Sequence, residues 1–513
     1  MKGLLEIEPR EYQKAIFETT KNNNTLVVLP TGIGKTLIAL MLSIERLKKH
    51  PMSKVLFLAP TRPLVEQHFE YFKKHLPELF AELNLFTGEI NAETRKKLWQ
   101  NAEIIFSTPQ CIANDLKNYL YNLDEVSLLV IDEAHRCLKN YDYTKVVSHY
   151  KNRARNQRIL GLTASPGSES DKVMQISKHL SLDEIELRTR DSKDVKPYLQ
   201  DREYTKIEVP FPSELMEIRA LLKRLYDEKV NKLKQSNFLF GSTNKITLLN
   251  LQQRLFGQMS QRNPAIFAGV SWTAQAIKIS HAIELLETQT LSGLNVYMKS
   301  LIEQSNQKKS KGVQTLVKSP EFSAANILLQ ELIAKKMEHP KIDEIATITE
   351  NQFKENPNSK IIIFSQFRET AQTISKKLNE QANIKSAIFI GQAKKLGAGL
   401  SQKEQKQVIE DFREGKLNII CATSIGEEGL DIPEVSAVIF YEPIPSAIRK
   451  IQRAGRTARL SPGKLIILVT KDTRDEINHY ASGAREKKMY KTIAQLKQNL
   501  KDTKKIKTLN EFK

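Results

Sequence analysis

The sequence has few features of a secreted, membrane or metal-cluster protein. Only three cysteines occur among 513 residues, too few and too scattered for a disulfide framework or a zinc site. The longest apolar runs, such as 128–131 and 361–364, are far shorter than the roughly 18 residues of a membrane-spanning helix. No basic segment followed by an apolar stretch opens the chain, as it would in a secretion signal. We therefore expect a cytoplasmic protein without a membrane segment.

Acidic residues are outnumbered by basic ones. The chain has 79 Lys and Arg against 59 Asp and Glu, a formal net charge of +20. Such a surplus favours a polyanionic partner, because neutralised phosphates release their condensed counterions. Basic surfaces also occur on proteins that touch no nucleic acid. The hydrophobic fraction of 40% is that of an ordinary globular protein, and the length suggests about three domains.

The hydrophobic pattern divides the chain into two α/β regions that flank a helical region. Apolar runs of strand length alternate with helix-length segments in both outer regions, which predicts two parallel sheets. The strand candidates are 25–29, 54–58, 103–107, 128–131, 158–162, 360–364, 387–390, 418–422, 437–441 and 464–470. The central region has long amphipathic helix patterns and a lysine-rich stretch, 299–318, that we expect to be a mobile basic loop. The predicted segments are 1–205, 206–340 and 341–490, followed by a basic tail over 491–513.

A strand, a glycine-containing turn and a helix follow one another around position 30. The turn and the helix start comprise Leu29, Pro30, Thr31, Gly32, Ile33, Gly34, Lys35 and Thr36. This is the context of a P-loop, whose backbone N–H groups cradle phosphates while Lys35 reaches the β- and γ-phosphates and Thr36 ligates Mg²⁺. The strict pattern has glycine where this sequence has Leu29, so a tight turn with a chance lysine is the alternative.

A second buried strand ends in two adjacent carboxylates, Asp132 and Glu133. Asp132 is suited to hold Mg²⁺ through water, and Glu133 to orient and deprotonate an attacking water. Alone, the pair could be a solvated strand end. Together with the phosphate loop it predicts hydrolysis of a nucleoside triphosphate.

These residues, with Asp-Glu-Ala-His spelled out over 132–135, resemble superfamily 2 helicases and translocases of the DEAD/DEAH type, in which this variant of the P-loop is usual. Further segments resemble the family's other motifs in the family's order: 9–13, 59–67, 107–110, 162–165, 362–367, 422–433 and 452–459. The resemblance implies an α/β fold with two RecA-like parallel-sheet domains, an inserted all-helical thumb-like domain, and ATP and Mg²⁺ as cofactors.

The resemblance also implies roles for individual residues. Arg10 and Gln13 would read the adenine and Asp431 would bind the nucleotide. Gln452 would position the attacking water, and Arg456 and Arg459 would act as arginine fingers that compensate charge on the γ-phosphate. Without the motif, a solvated basic helix face would explain the two arginines. Contacts to the phosphate backbone of one strand are implied for Thr61, Arg62, Thr108, Gln366 and Thr423. Coupling between the nucleotide and strand sites is implied for His135, Thr163 and Ser165.

Within the superfamily, the segments 26–36, 59–65 and 161–167 resemble the archaeal Hef helicase and the Fanconi anaemia M-type translocases, as does the helical insert followed by 339–341. That group acts on branched DNA such as stalled forks and four-way junctions, moves 3′ to 5′, and grips duplex DNA with its insert. Four aromatic residues suit such an insert, although packing in its own core is the ordinary explanation. They are Phe238, Phe240, Phe256 and Trp272.

Several functions and partners remain open from the sequence. No nuclease signature follows the second α/β region, so we do not expect DNA cleavage, and a separate nuclease is one candidate partner. A sliding clamp is another, because Leu509 and Phe512 faintly resemble the anchors of a clamp-binding peptide; an ordinary frayed tail is the alternative. We expect the protein to associate with the nucleoid. The competing functions are a double-stranded-RNA-dependent ATPase of the Dicer or RIG-I-like type and an ATP-driven clamp that binds branched DNA without unwinding it.

Overall fold

The computed structural model describes residues 7–77, 79–259, 263–391, 399–426, 432–458 and 461–511. Within these ranges the chain forms a seven-stranded sheet, a six-stranded sheet and a bundle of helices. All paired strands run parallel in both sheets. The predicted fold class is confirmed.

The first domain contains the seven-stranded sheet and the helices that cover it. Its strands are β1 (Thr25–Val28), β2 (Lys54–Leu58), β3 (Leu83–Phe86), β4 (Ile104–Ser107), β5 (Val126–Ile131), β6 (Ile159–Thr163) and β7 (Glu184–Leu187). Its helices are α1 (Glu11–Asn22), α2 (Lys35–Lys49), α3 (Arg62–His75), α4 (Ala92–Asn101), α5 (Pro109–Lys117), α6 (Asp142–Arg153) and α7 (Ser170–Leu180). The inner strands are buried along their whole length, which explains their continuous apolar sequences.

The strand order of the first sheet determines which loops meet. The order is β3-β4-β2-β5-β6-β1-β7, so β6 lies between β1 and β5, and β2 lies on the other side of β5. Because the strands are parallel, their carboxyl ends share one edge of the sheet. The segments that follow β1, β5, β6 and β2 are therefore neighbours at that edge.

The helical bundle consists of α8 (Ser213–Gln235), α9 (Lys245–Gly257), α10 (Pro264–Thr288), α11 (Leu291–Asn306), α12 (Lys311–Val317) and α13 (Pro320–Ala334). The basic loop predicted over 299–318 is wrong, because α11 and α12 cover most of this stretch. Leu301, Val313 and Leu316 bury their side chains in the larger of the two bundle cores, which holds both helices in place.

The four aromatic residues of the insert divide into two pairs. Phe238 and Trp272 are partly buried against the smaller bundle core. Phe240 is 71% exposed and Phe256 is 50% exposed. Core packing therefore explains the first pair and leaves the second pair at the surface.

The second domain contains the six-stranded sheet, in the order β10-β11-β9-β12-β13-β8. Its strands are β8 (Arg202–Val209), β9 (Ile361–Phe364), β10 (Ser386–Phe389), β11 (Ile419–Ala422), β12 (Ala437–Phe440) and β13 (Gly463–Thr470). Its helices are α14 (Lys341–Glu355), α15 (Arg368–Leu378), α16 (Gln402–Arg413), α17 (Ala447–Ala454) and α18 (Arg474–Glu511).

The predicted boundary between residues 205 and 206 falls inside β8. This strand pairs with β13 over its whole length, from Arg202 opposite Gly463 to Val209 opposite Thr470. The chain therefore enters the second sheet before it forms the helical bundle. The bundle is an insertion within the second domain, between β8 and β9, rather than a separate segment between the two α/β domains.

The predicted tail over 491–513 begins inside α18. Met489 and Ile493 are buried in a core of the first domain, and Tyr490, Leu496 and Leu500 pack against the same core. Because this segment is rich in basic residues, the sequence did not indicate that one face of it is apolar and packs on the first domain. No helix in the described part of the chain has both the length and the apolar character needed to cross a bilayer.

Candidate active site

The turn after β1 has the backbone of a phosphate-binding loop. Gly34 lies directly before α2 with φ of 80° and ψ of 39°, the left-handed region that glycine adopts without strain. A side chain at this position would also collide with Gln13. The glycine is therefore needed for the turn, and a larger residue would also displace the Gln13 amide.

Helix α1 supports this loop from outside. Tyr12 donates its hydroxyl hydrogen to the Ile33 carbonyl at 2.6 Å, and Gln13 Nε2 donates to the Gly34 carbonyl at 3.2 Å. The Gln13 Oε1 atom accepts from the Arg10 backbone N–H at 2.9 Å, and the Arg10 guanidinium lies 5.0 Å from the centre of the Tyr198 ring. The two residues predicted to read the adenine thus lie beside the P-loop.

The two polar P-loop side chains contact the protein itself. Lys35 Nζ donates to the Leu29 carbonyl at 3.2 Å, across the loop from its own position. Thr36 Oγ1 lies 3.3 Å from Nδ1 of His68, which belongs to α3. The lysine and the hydroxyl are therefore close to the loop that would surround the phosphates.

Asp132 and Glu133 follow β5 at the same edge of the sheet. Asp132 Oδ2 is 2.9 Å from His68 Nε2, and the Asp132 carbonyl accepts the hydroxyl hydrogen of the buried Tyr143 at 2.7 Å. Burial by itself would raise the pKa of Asp132. The neighbouring His68 and the Lys35 ammonium reverse this effect and lower the pKa, so the carboxylate stays ionised.

Glu133 has a strained backbone, with φ of 48° and ψ of 49°. Such a conformation costs a non-glycine residue about 1–3 kcal/mol and is concentrated at functional sites. Its carboxylate Oε2 is 3.2 Å from His135 Nδ1. The two adjacent carboxylates contact different residues, Asp132 contacting His68 and Glu133 contacting His135.

The oxygen atoms near the phosphate loop are suited to Mg²⁺. The Thr36 hydroxyl and the Asp132 carboxylate contact the two nitrogens of one imidazole ring, so a single side chain separates these two oxygen atoms. Hard divalent cations prefer oxygen ligands, and Mg²⁺ usually takes one or two from protein and others from substrate phosphates and water. Across the described ranges, no group of three or more His, Cys, Asp or Glu side chains could hold a metal. A two-ligand site that is completed by a nucleotide is compatible with this finding.

The three residues predicted to couple the two sites contact one another. His135 Nδ1 is 3.1 Å from Thr163 Oγ1, which in turn accepts from the Ser165 backbone N–H at 3.1 Å. Ser165 Oγ donates to Met489 Sδ at 2.8 Å. The chain of contacts therefore extends from the carboxylate loop to α18, an extension that the sequence did not predict.

The second domain touches the phosphate loop through α17 and the residues after it. A side chain at Gly455 would collide with the Thr31 side chain of the P-loop, so the Gly455 backbone lies directly against that side chain. Gln452 and Arg456 flank this contact and are buried. Arg459 and Asp431, also predicted here, lie outside the described residues.

The predicted strand-contacting residues lie at the carboxyl ends of four strands. Thr61 and Arg62 follow β2, Thr108 follows β4, Gln366 follows β9 and Thr423 follows β11. Within each sheet the two strands concerned are adjacent. Thr61, Arg62, Thr108 and Thr423 are half-buried, and Gln366 is exposed. Arg62 forms ion pairs with Glu66 at 2.6 Å and with Glu89.

Sequence reasoning missed two residues near these motifs. His68 joins both predicted metal ligands. Arg453 is buried, with its guanidinium 4.8 Å from the centre of the Phe364 ring and 5.9 Å from that of Phe440. Arg453 could have been recognised as a candidate functional residue, because it stands next to Gln452 and a buried arginine needs a partner. His68 follows the 59–67 segment, and nothing in the sequence there indicated a functional role.

Comparisons with known proteins agree with this architecture. The model described as "DEAD/DEAH box helicase" matches residues 10–173, and the model "Helicase conserved C-terminal domain" matches 340–461. The model "Putative ATP-dependent RNA helicase, helical bundle" matches 214–337. The crystal structure of the Hef helicase domain of Pyrococcus furiosus is 41% identical, with a TM-score of 0.72, and the match covers 93% of this chain and 100% of that one.

The chain belongs to the Hef-type helicases of superfamily 2. Among curated relatives, a Methanocaldococcus jannaschii protein named "Putative ATP-dependent RNA helicase" is 37% identical over 95% of this chain. The ATP-dependent DNA helicase fml1 of Schizosaccharomyces pombe is 31% identical over 95% of this chain, and the Fanconi anemia group M protein homolog of Mus musculus is 31% identical over 96%. This Hef-type chain spans 61%, 60% and 26% of the lengths of these three relatives, respectively.

Proposed function

We propose that this chain is an ATP-driven DNA helicase or translocase that acts on branched DNA, such as forks and four-way junctions, in the repair of replication forks. The observation that carries the proposal is the contact of Gly455 with Thr31, because it brings the second domain against the phosphate loop of the first. A nucleotide bound between two domains links its hydrolysis to their relative motion.

The proposed hydrolysis uses residues of both domains. Lys35 and the loop N–H groups bind the phosphates, Glu133 accepts a proton from the attacking water, and Gln452 orients that water. Arg456 and Arg459 stabilise negative charge that develops on the transferred phosphoryl group. Mg²⁺ held by Thr36 and Asp132 would neutralise charge on the phosphates. In this proposal Arg10, Gln13 and Asp431 hold the rest of the nucleotide, while His135, Thr163 and Ser165 couple its state to the strand.

The proposed strand contacts are Thr61, Arg62, Thr108, Gln366 and Thr423. Their location at the ends of adjacent strands, on both sheets, favours a path for one strand across the two domains. Contacts of this kind hold the phosphate backbone and carry no sequence information. We propose that the helical bundle holds the adjoining duplex, with movement 3′ to 5′ along the strand.

DNA is the favoured substrate because of the relatives' names. The Schizosaccharomyces pombe relative is named a DNA helicase, whereas the name of the Methanocaldococcus jannaschii protein refers to RNA. A double-stranded-RNA translocase is therefore the competing proposal. A cytoplasmic, nucleoid-associated location and partnership with a sliding clamp or a separate nuclease belong to the DNA proposal; Phe512 and the Leu509 side chain lie outside the described parts.

Strand-displacement assays test this function. A labelled fork and a four-way junction are incubated with the chain and ATP, beside a blunt duplex of the same length and forks with only a 3′ or only a 5′ arm. We expect ATP-dependent conversion of the fork and the junction, with a preference for the 3′ arm. Conversion of the blunt duplex at the same rate as the fork would contradict a preference for branched DNA.

A further inference from the structure

A histidine outside the predicted motifs lies between the two proposed Mg²⁺ ligands. Nδ1 of His68 is 3.3 Å from Thr36 Oγ1, and Nε2 of the same ring is 2.9 Å from Asp132 Oδ2. Thr36 follows β1 and Asp132 follows β5, two strands that are separated by β6 in the sheet. The imidazole therefore bridges two loops that are not adjacent in the sheet.

The position of His68 is set by α3. Its ring packs against Phe57 of β2, with ring centres 4.5 Å apart, and the residue is only 7% exposed. Helix α3 starts directly after β2, the neighbour of β5. Because the ring is wedged between a buried phenylalanine and the two loops, it has little freedom to turn.

One tautomer of the ring satisfies both contacts. With its proton on Nε2, the imidazole donates to the Asp132 carboxylate and accepts the Thr36 hydroxyl hydrogen at Nδ1. The hydroxyl hydrogen of Thr36 is then directed at the ring, which leaves the oxygen lone pairs free on the side away from His68.

We propose that His68 is a positioning residue for the Mg²⁺ of the nucleotide site. It orients the Thr36 hydroxyl and the Asp132 carboxylate before the cation arrives, and it keeps both ligands in that orientation afterwards. Partners behind metal ligands commonly change metal affinity by about 10- to 100-fold when they are removed. This inference rests on the proposed ATPase function, whose ligands it uses.

The same helix connects His68 to the proposed strand site. Thr61 and Arg62 lie at the start of α3, and Glu66 forms an ion pair with Lys406 of the second domain at 3.3 Å. A cavity of about 690 Å³ separates α3 from α16, and Thr36 and His68 are among the residues that line it. A displacement of α3 by a bound strand or by domain movement would therefore shift the ring against both ligands.

Mg²⁺ titrations of nucleotide binding test the proposal without requiring turnover. The fluorescent nucleotide mant-ADP is bound to the full chain in EDTA and then at increasing Mg²⁺. For His68→Ala we expect the Mg²⁺ concentration at half-maximal effect to rise about 10- to 100-fold, with binding in EDTA unchanged. His68→Asn, which can retain the Thr36 contact, and His68→Gln, which can retain the Asp132 contact, should each restore part of the affinity.

His75→Ala is the matched control, because it removes a histidine from the same helix, where the ring packs on Tyr71 instead. It should leave the titration unchanged. An unchanged Mg²⁺ requirement in His68→Ala would overturn the proposal, and so would an equal loss of binding in EDTA, which would make His68 a support of the whole loop. If nucleic acid fails to stimulate ATP hydrolysis by the unmodified chain, the proposed function fails while the titration still decides the role of His68.

Discussion

At the residue scale, the candidate site depends on a few side chains with unusual surroundings. Glu133 combines a left-handed backbone with a buried carboxylate, and Asp132 remains ionised in spite of its burial. Neither arrangement improves packing, since burial penalises ionised groups and the left-handed region strains the backbone. Such costs are expected where a carboxylate acts on a bound molecule.

The exchange Glu133→Gln separates nucleotide binding from hydrolysis. The amide keeps the size of the side chain but cannot accept a proton from water, so we expect ATP binding to persist while turnover falls at least about 100-fold. Equilibrium binding and steady-state phosphate release measure the two properties. Lys35→Ala serves as the contrast, because loss of the phosphate-binding ammonium should abolish turnover; hydrolysis within about tenfold of the unmodified rate would refute the P-loop assignment.

A further buried carboxylate, Glu442, lies at the junction of the bundle and the second domain. Its Oε2 accepts from Gln289 Nε2 at 3.3 Å. Burial raises the pKa of Glu442 to about 7, although Arg453 and Lys341 nearby act in the opposite direction. Between about pH 4.5 and 7, Glu442 therefore carries a proton in the folded chain but has lost it in the unfolded chain.

Stability should accordingly fall as the pH rises through this window. The Glu442→Gln variant is neutral at every pH and therefore lacks this loss of stability. We expect it to be more stable than the unmodified chain at pH 8, by up to about 3 kcal/mol, and we expect the difference to vanish toward pH 4.5. Thermal unfolding at pH 5 to 8 measures this, and Glu303→Gln on the exposed part of α11 is the control. A Tm difference that does not vary with pH would contradict the assignment.

At the element scale, the strands that sequence reasoning found and those it missed differ in their place in the sheet. The inner strands were predicted within a few residues because they are buried on both faces and therefore continuously apolar. The missed strands are β3, β7 and β8, all at sheet edges, whereas the fourth edge strand, β10, was predicted as 387–390. An edge strand pairs on one side only and need not be continuously apolar, as in Glu-Ile-Glu-Leu over 184–187, and the partner of this strand, β1, is remote in sequence.

The packing of α18 on the first domain was likewise not predicted from the sequence. Its polar, lysine-rich composition predicted a tail, yet Met489 and Ile493 are buried in the first domain. The helix starts in the second domain, contacts Ser165 through Met489 and joins α17 through the 2.9 Å ion pair of Lys450 and Glu486. We infer that α18 holds the two α/β domains together through apolar contacts.

Ile493→Ala tests this role of α18. Truncating a buried isoleucine costs about 2–5 kcal/mol, so the docked half of the helix should open more often. We expect faster amide hydrogen exchange over 487–502 and in β7. Ile477→Ala, on the same helix but 68% exposed, should change nothing. Equal exchange in both variants would mean that α18 is not anchored by this core.

At the scale of the whole molecule, the sequence predicted two α/β domains, a helical insert and the motifs that surround the phosphate loop. Local patterns sufficed where a motif follows a strand directly, as the phosphate loop follows β1 and Asp132 follows β5, because parallel strands bring their ends to one edge. The contact of Gly455 with Thr31, the bridge made by His68 and the course of β8 could not be predicted, because they depend on how distant segments pack. A single sequence contains no local signal for that packing.

The exposed aromatic residues of the insert provide a test of duplex binding. Replacing Phe256 by alanine removes a half-exposed ring, and we expect affinity for a fork to fall about fivefold, which corresponds to about 1 kcal/mol for one lost ring contact. Fluorescence anisotropy at fixed salt measures it. Ile327→Ala, another exposed apolar residue of the bundle, is the control. Unchanged fork affinity in Phe256→Ala, or an equal loss in the control, would remove this ring from the DNA interface.

The most direct test of the central claim is steady-state ATP hydrolysis against a matched panel of nucleic acids. Single-stranded DNA, blunt duplex, fork, four-way junction and double-stranded RNA are compared at one fixed salt concentration, since phosphate contacts make binding strongly salt-dependent. We predict the strongest stimulation by the fork or the junction. Strongest stimulation by double-stranded RNA, or none by any member of the panel, would contradict an ATP-driven enzyme of branched DNA.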